Sequence, residues 1–259
     1  MRNLLPRPAA SISFMPSSHL HVLIPAAGVG ARAGGDGPKQ YQTLAGRPLV
    51  AHTLAAFRAL GEQLQTLALV VAADDAVLAQ VLPDFPQATR HGCRELLLRV
   101  GGDTRAASVR AGLRALQARG AQPHDWVLVH DAARCLVTPA QVQVLIQACL
   151  PDPVGGLLAL PLPDTLKQSD AQGRVAATLP RDHKWLAQTP QMFRLHTLAQ
   201  ALDSASASGL AVTDEASAIE ATGQAPRLVP GSAQNFKITY PEDFALAEAV
   251  LQARRSAAL

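Results

Sequence analysis

The chain is short of lysine, aromatic residues and cysteine, and each shortage removes a class of function. Its 23 basic residues include only four lysines, Lys39, Lys167, Lys184 and Lys237. Lysine is a compact point charge where arginine is a planar fork, so each of the four positions is informative. Aromatic residues make up 4%, no basic run is interleaved with them, and the formal net charge is only +3. That balance favours anionic ligands and lacks the basic footprint of a nucleic-acid binder. Cys93, Cys135 and Cys149 stand far apart with no CxxC pair. This spacing speaks against a disulfide framework or a zinc site, and a reducing cytoplasm is expected. No apolar stretch approaches the ~18 residues of a membrane span. No His, Asp or Glu group has metal-ligand spacing, so any metal is expected to arrive on a ligand's phosphates.

What is present is an α/β pattern. With 259 residues and 48% hydrophobic composition the chain can fill a core. Residues 1–20, "MRNLLPRPAASISFMPSSHL", are broken by Pro and Ser and are expected to be a loose N-terminal tail rather than a signal peptide, with Met15 a candidate start. Residues 21–259 are expected to form one domain. Short apolar runs at 21–27, 67–73, 95–100, 126–134 and 155–162 read as strands, and 48–60, 103–120 and 138–150 between them read as helices. This alternation implies a mostly parallel, Rossmann-like sheet with helices on both faces and ligands beyond the carboxyl ends of the strands. Residues 163–193 show no helical period and are read as a projecting β-arm. Helices near 194–208 and 213–222, strands at "PRLVPG" and "NFKIT", and a closing helix at 241–255 complete the reading.

Three corners carry polar chemistry. "IPAAGVGARAGGDGPKQ" (24–40) packs five glycines into one loop. Glycine lets the backbone approach a ligand closely, and successive exposed N–H groups form a nest for anions. The spacing of Gly28, Gly30 and Gly34 is one residue longer than the dinucleotide fingerprint, and no Gly-Lys-Ser/Thr closes a P-loop. What remains is a nest with Arg32 inside it and Lys39 after it, which suits a triphosphate. "VGGDTRAAS" (100–108) is a second corner, where Asp103 is a candidate helix cap and Arg105 and Ser108 are placed to face a ligand. "VHDAAR" (129–134) ends an apolar strand on His130, Asp131 and Arg134. Asp131 there either holds hydroxyls or a divalent metal, or simply pairs with Arg134.

These pieces occur in the order "PAAGVGARAGGDGPKQY", "GGDTRAAS", "VHDAAR", "LPDTLK", "TPQMF", "VTDEASAIE", "GSAQNFKIT", "PEDFALAEAV". That order resembles the 2-C-methyl-D-erythritol 4-phosphate cytidylyltransferases over nearly the whole chain from about residue 20. The resemblance implies a single nucleotidyltransferase domain whose β-arm is exchanged between two subunits. It implies an enzyme using CTP and Mg²⁺ in the non-mevalonate isoprenoid pathway. By resemblance, Ala26, Ala27, Gly28 and Gly30 form the nucleotide loop, and Arg32, Lys39 and Lys237 are the catalytic cations. Gly102, Asp103 and Ser108 contact cytosine and ribose. Asp131, Arg134, Thr165, Arg181 and Thr213 contact the acceptor, with Thr165 and Arg181 on the arm. No residue is expected to bind metal directly. The chain departs from the pattern at Ala31, Cys135 and Gln234, where the family has Arg, Pro and Asp respectively.

The implied reaction is in-line attack by the acceptor's phosphate on the α-phosphorus of CTP, releasing pyrophosphate. The nucleophile is already an anion, so no general base and no catalytic histidine are expected. The alternatives are a ribitol-5-phosphate cytidylyltransferase, whose loop tends to read "AGG" where this chain has "AAG" at 26–28, and a nucleotide-binding module without chemistry.

Overall fold

A computed structural model describes residues 18–28, 37–87 and 92–257. The loop positions Gly30, Ala31 and Arg32, and most of the N-terminal tail, lie outside these described residues.

The central sheet contains seven strands, β1 (Leu20–Pro25), β4 (Leu64–Ala72), β5 (Arg94–Gly101), β6 (Trp126–Val129), β7 (Gly155–Pro161), β10 (Trp185–Arg194) and β11 (Arg227–Pro230), ordered β11-β7-β10-β6-β1-β4-β5. Strands β5, β4, β1 and β6 run parallel, and β10 is antiparallel to both β6 and β7. Alternation along the strands divides the core into two layers. Val22, Ile24 and Leu128 face Leu54 and Phe57 of α1 (Leu49–Arg58) and Leu145 of α4 (Pro139–Cys149). Leu23, Val127 and Val129 face Val109 and Leu113 of α3 (Arg105–Gln117), Leu198 of α5 (Leu195–Ala207) and Ile219 of α6 (Glu215–Glu220). Both faces are covered, as the sequence pattern implies.

A third apolar cluster docks the periphery onto this sandwich. Leu44 of the small hairpin β2 (Thr43–Leu44) and β3 (Arg47–Pro48), Leu136, Ile238, and Ala247 of α7 (Glu242–Ser256) bury each other around Cys135. This packing brings the segments carrying Lys39 and Lys237 to one end of the sheet. Cys135 is thus accommodated as a small apolar group, and burial pushes its thiol up to about 12.

Three expectations need correction. The stretch 163–193 is not all arm. A separate hairpin, β8 (Leu166–Ser169) with β9 (Val175–Leu179), stands outside the central sheet, but β10 re-enters it. The periodicity reading failed because β10 buries polar side chains, Gln188, Thr189 and Gln191, satisfied by distant partners such as Ser232 and Asp214. "NFKIT" is not a strand but extended loop, tied to Ala133 by the Ile238 amide. The cap of α3 is Thr104, whose hydroxyl accepts from the Ala107 amide, and not Asp103. Of the remaining elements, the short α2 (Leu78–Val81) starts where the Asp75 carboxylate accepts from the Val77 and Leu78 amides, and no helix among the described residues is long and apolar enough to cross a membrane.

Candidate active site

A cleft of about 640 Å³ opens at the carboxyl ends of β1, β4, β5 and β6. Ten of the residues singled out in the sequence line it: Ala26, Ala27, Gly28, Lys39, Gly102, Asp103, Arg105, Ser108, Asp131 and Lys237. They come from five separate stretches of chain, and the sheet is what brings them together.

The corners are built by close packing. A Cβ on Gly101 would lie 2.3 Å from the Ala27 Cβ and 2.8 Å from the Val71 carbonyl oxygen, so only glycine lets β5 close against the β1 loop here. Ser108 is buried, and its hydroxyl accepts from the Gly102 amide at 3.1 Å while lying near the Gly102 and Thr104 carbonyls. It shapes the corner from within. Gln40, missed in the sequence, is also buried and donates to the Ala26 carbonyl at 2.7 Å, fastening the turn that carries Lys39 (Lys39–Tyr41) to the end of β1. The Lys39 ammonium donates to the Ile238 carbonyl beside Lys237.

Asp131 is the electrostatic centre. Its Oδ1 accepts from Arg105 Nε at 2.7 Å, and Lys237 Nζ lies 2.8 Å from Oδ2. Burial works to raise this carboxyl, but Arg105 and Lys237 overcome it and hold it well below the usual carboxylate range. Arg134 Nε is 3.9 Å from Oδ2, so the simple Asp131–Arg134 pair is the weakest of the three contacts. The guanidinium of Arg134 instead donates to the carbonyls of Asn235 and Ala187. Nor is Arg105 an open cation facing a ligand. Its two terminal nitrogens are bound to both oxygens of Glu215, at 2.6 and 2.9 Å. Burial pushes Glu215 up from its ordinary value, with Arg105 opposing.

Other acceptor candidates are not gathered by the fold of one chain. Thr213 is exposed and lines a neighbouring pocket of about 340 Å³, separated from the cleft by Thr104 and Arg105, which line both. Thr165 and Arg181 lie at the base of the β8–β9 hairpin, where Arg181 donates to the Pro163 carbonyl, and neither lines the cleft. Gln234, the third departure, accepts from Arg254 of α7 at 2.9 Å. Among the described residues no group of His, Cys, Asp and Glu could hold a metal ion.

The profile of the 2-C-methyl-D-erythritol 4-phosphate cytidylyltransferases, IspD, matches residues 20–253. The chain belongs to this family. The family's curated members include a 2-C-methyl-D-erythritol 4-phosphate cytidylyltransferase from Cupriavidus pinatubonensis, 53% identical over 91% of this chain and 95% of that one. A bifunctional enzyme IspD/IspF from Albidiferax ferrireducens is 62% identical over 90% of this chain, which spans only 53% of that relative's length. The family's fold is also the one seen in the crystal structure of a 4-diphosphocytidyl-2C-methyl-D-erythritol synthase, with a TM-score of 0.78 and 34% identity over 91% of this chain and 99% of the other. The mostly parallel sheet read from the sequence is therefore the family's own.

Proposed function

We propose that the chain transfers the cytidylyl group of CTP to 2-C-methyl-D-erythritol 4-phosphate, releasing pyrophosphate and forming 4-diphosphocytidyl-2-C-methyl-D-erythritol for isoprenoid precursor synthesis. The observation that carries this reading is the convergence of Lys39, Lys237 and Asp131 in one cleft floored by two glycine corners. Ala26, Ala27, Gly28 and Gly30 offer backbone to the triphosphate. Gly102 and Asp103 meet cytosine and ribose, with Ser108 holding the corner that presents them.

Chemistry in this site is positioning and charge neutralisation. The acceptor's phosphate attacks the α-phosphorus in line while Arg32, Lys39 and Lys237 stabilise the charge that develops there and on the leaving pyrophosphate. Asp131 and Arg134 orient the acceptor. The buried carboxylate of Asp131 in the cleft is already matched by cations, which fits Mg²⁺ entering on the CTP phosphates, where it offsets their charge. No proton needs abstracting, and His130 supports that reading, because burial pushes it down to about 3.

Thr165, Arg181 and the apolar Val175 and Leu179 belong to a hairpin with no home in its own core, which supports a homodimer in which each arm completes the partner's acceptor site. The three buried, unpaired cysteines agree with a cytoplasmic setting. The ribitol-5-phosphate alternative is not favoured, since the family profile and the relatives at 53% identity bear the erythritol-phosphate name. The test is pyrophosphate release with CTP, Mg²⁺ and each acceptor in competition. Preference for ribitol 5-phosphate, or equal activity with ATP, overturns the assignment.

A further inference from the structure

Glu215 is the first residue of α6 and is 1% exposed, yet it does not line the nucleotide cleft. Its carboxylate grips both terminal nitrogens of Arg105, the first residue of α3. A guanidinium held at both of these nitrogens has one remaining direction for its Nε–H. Here that direction ends on Asp131 Oδ1, 2.7 Å away. The chain of contacts therefore fixes which Asp131 oxygen meets Arg105 and which meets Lys237. Oδ1 is committed to Arg105, and Oδ2 takes the Lys237 ammonium at 2.8 Å, so Lys237 and Asp131 Oδ2 face the cleft as one pair.

We propose that Glu215 is a positioning residue which, through the fork of Arg105, sets the orientation of the Asp131 carboxylate and so the recognition of the acceptor's hydroxyl groups. This deepens the reading above and rests on it, since it takes Asp131 to be an acceptor contact. Glu215 touches neither substrate. Without it Arg105 keeps its charge but loses the constraint that aims Nε, and Asp131 can rotate about its side chain. The consequence falls on the acceptor rather than on CTP, whose corners at Gly28 and Gly102 do not involve Glu215.

Steady-state kinetics with each substrate varied in turn tests this. Glu215→Gln is expected to raise the acceptor KM about tenfold, a change of about 1.4 kcal/mol, while the CTP KM stays within about twofold. Arg105→Lys, which keeps the charge and abolishes the fork, is expected to do the same. Glu215→Gln leaves the Arg105 guanidinium with Asp131 as its remaining carboxylate partner, so the paired change Arg105→Gln with Glu215→Gln provides a second variant that removes both charges together and leaves Asp131 its Lys237 partner. It is expected to fold and to show the same acceptor defect. The deciding measurement is made in an Asp131→Asn background, where adding Glu215→Gln is expected to cost less than a further twofold in acceptor kcat/KM, because both changes remove one linked function. Losses that multiply in that background, or CTP and acceptor KM values that rise together, overturn the positioning role and leave the role of Asp131 standing. An Asp131→Asn variant with unaltered acceptor kinetics overturns both.

Discussion

The Thr189 hydroxyl lies 3.0 Å from His130 Nδ1, and this pair ties together the two ends of the Asp131–Arg134 turn. Thr189 Oγ1 accepts from the Asp131 amide at 3.0 Å, so its own proton goes to His130 Nδ1. The ring is then left with a proton on Nε2, which faces the Arg134 carbonyl at 3.1 Å. A neutral imidazole satisfies both contacts.

Acid stability follows from that neutrality. His130 is pushed down to about 3 in the folded chain, by burial first, against an ordinary value of 6.5. Between those values the unfolded chain binds a proton that the folded chain does not. The stabilisation is therefore complete above about pH 6.5 and is lost as pH falls towards 3, by up to about 1.4 kcal/mol per pH unit. His21, also lowered by burial, contributes with the same sign. Urea unfolding of the parent and of His130→Gln between pH 7 and 4.5 separates the two. The variant is expected to be less stable at pH 7 and to show a shallower slope. Parallel slopes would remove His130 from the account.

Lys39→Ala is expected to lower kcat by at least tenfold with little change in melting temperature. The side chain is half-buried on a short turn and fills no core position, and without its bond to the Ile238 carbonyl Gln40 next to it still fastens the turn to β1. Turnover within about threefold of the parent corresponds to less than about 1 kcal/mol of barrier, and the catalytic role would then be abandoned.

Much of this architecture was legible because its signals are local. The Thr138 cap followed by Pro139 marks the start of α4, and the apolar runs of β1, β4 and β6 stop where polar corners begin. The cleft followed from those corners. What stayed hidden depends on long-range partners. Glu215 sits in a short helix with nothing in its spacing to reveal a contact with Arg105, 110 positions away. Gln188, Thr189 and Gln191 look like loop residues until Asn235 and Asp214 are brought to them, so β10 was read as arm. Thr104 displaced Asp103 as the cap of α3 because either residue type suits that position and only the backbone decides.

Gly101→Ala is expected to destabilise the chain by about 1–3 kcal/mol and to raise the CTP KM. The added methyl would meet the Ala27 side chain and the Val71 carbonyl, both at distances that backbone must yield to relieve. Either shift moves the loop that carries Gly28 away from the corner at Gly102. Calorimetry and CTP titration check the two effects, and an unchanged melting temperature would show that the corner is looser than its packing implies.

The final prediction concerns the arm. Lys39 lines the cleft, whereas Arg181 lies on the hairpin connection outside it. Around that connection Val175 is 66% exposed, Leu186 48% and Trp185 37%, apolar surface that a two-fold partner would cover. If each site takes Lys39 from one subunit and Arg181 from the other, Lys39→Ala and Arg181→Ala are each inactive alone but complement when mixed under conditions of subunit exchange. A mixed dimer has one site carrying both lesions and one carrying neither. Random reassortment makes half of the dimers mixed, so roughly a quarter of all sites recover. With both cations drawn from the same subunit, every site keeps one lesion and mixing restores nothing. Activity returning towards a quarter of the parent value is the expected result, and no recovery despite demonstrated exchange rules out the shared site.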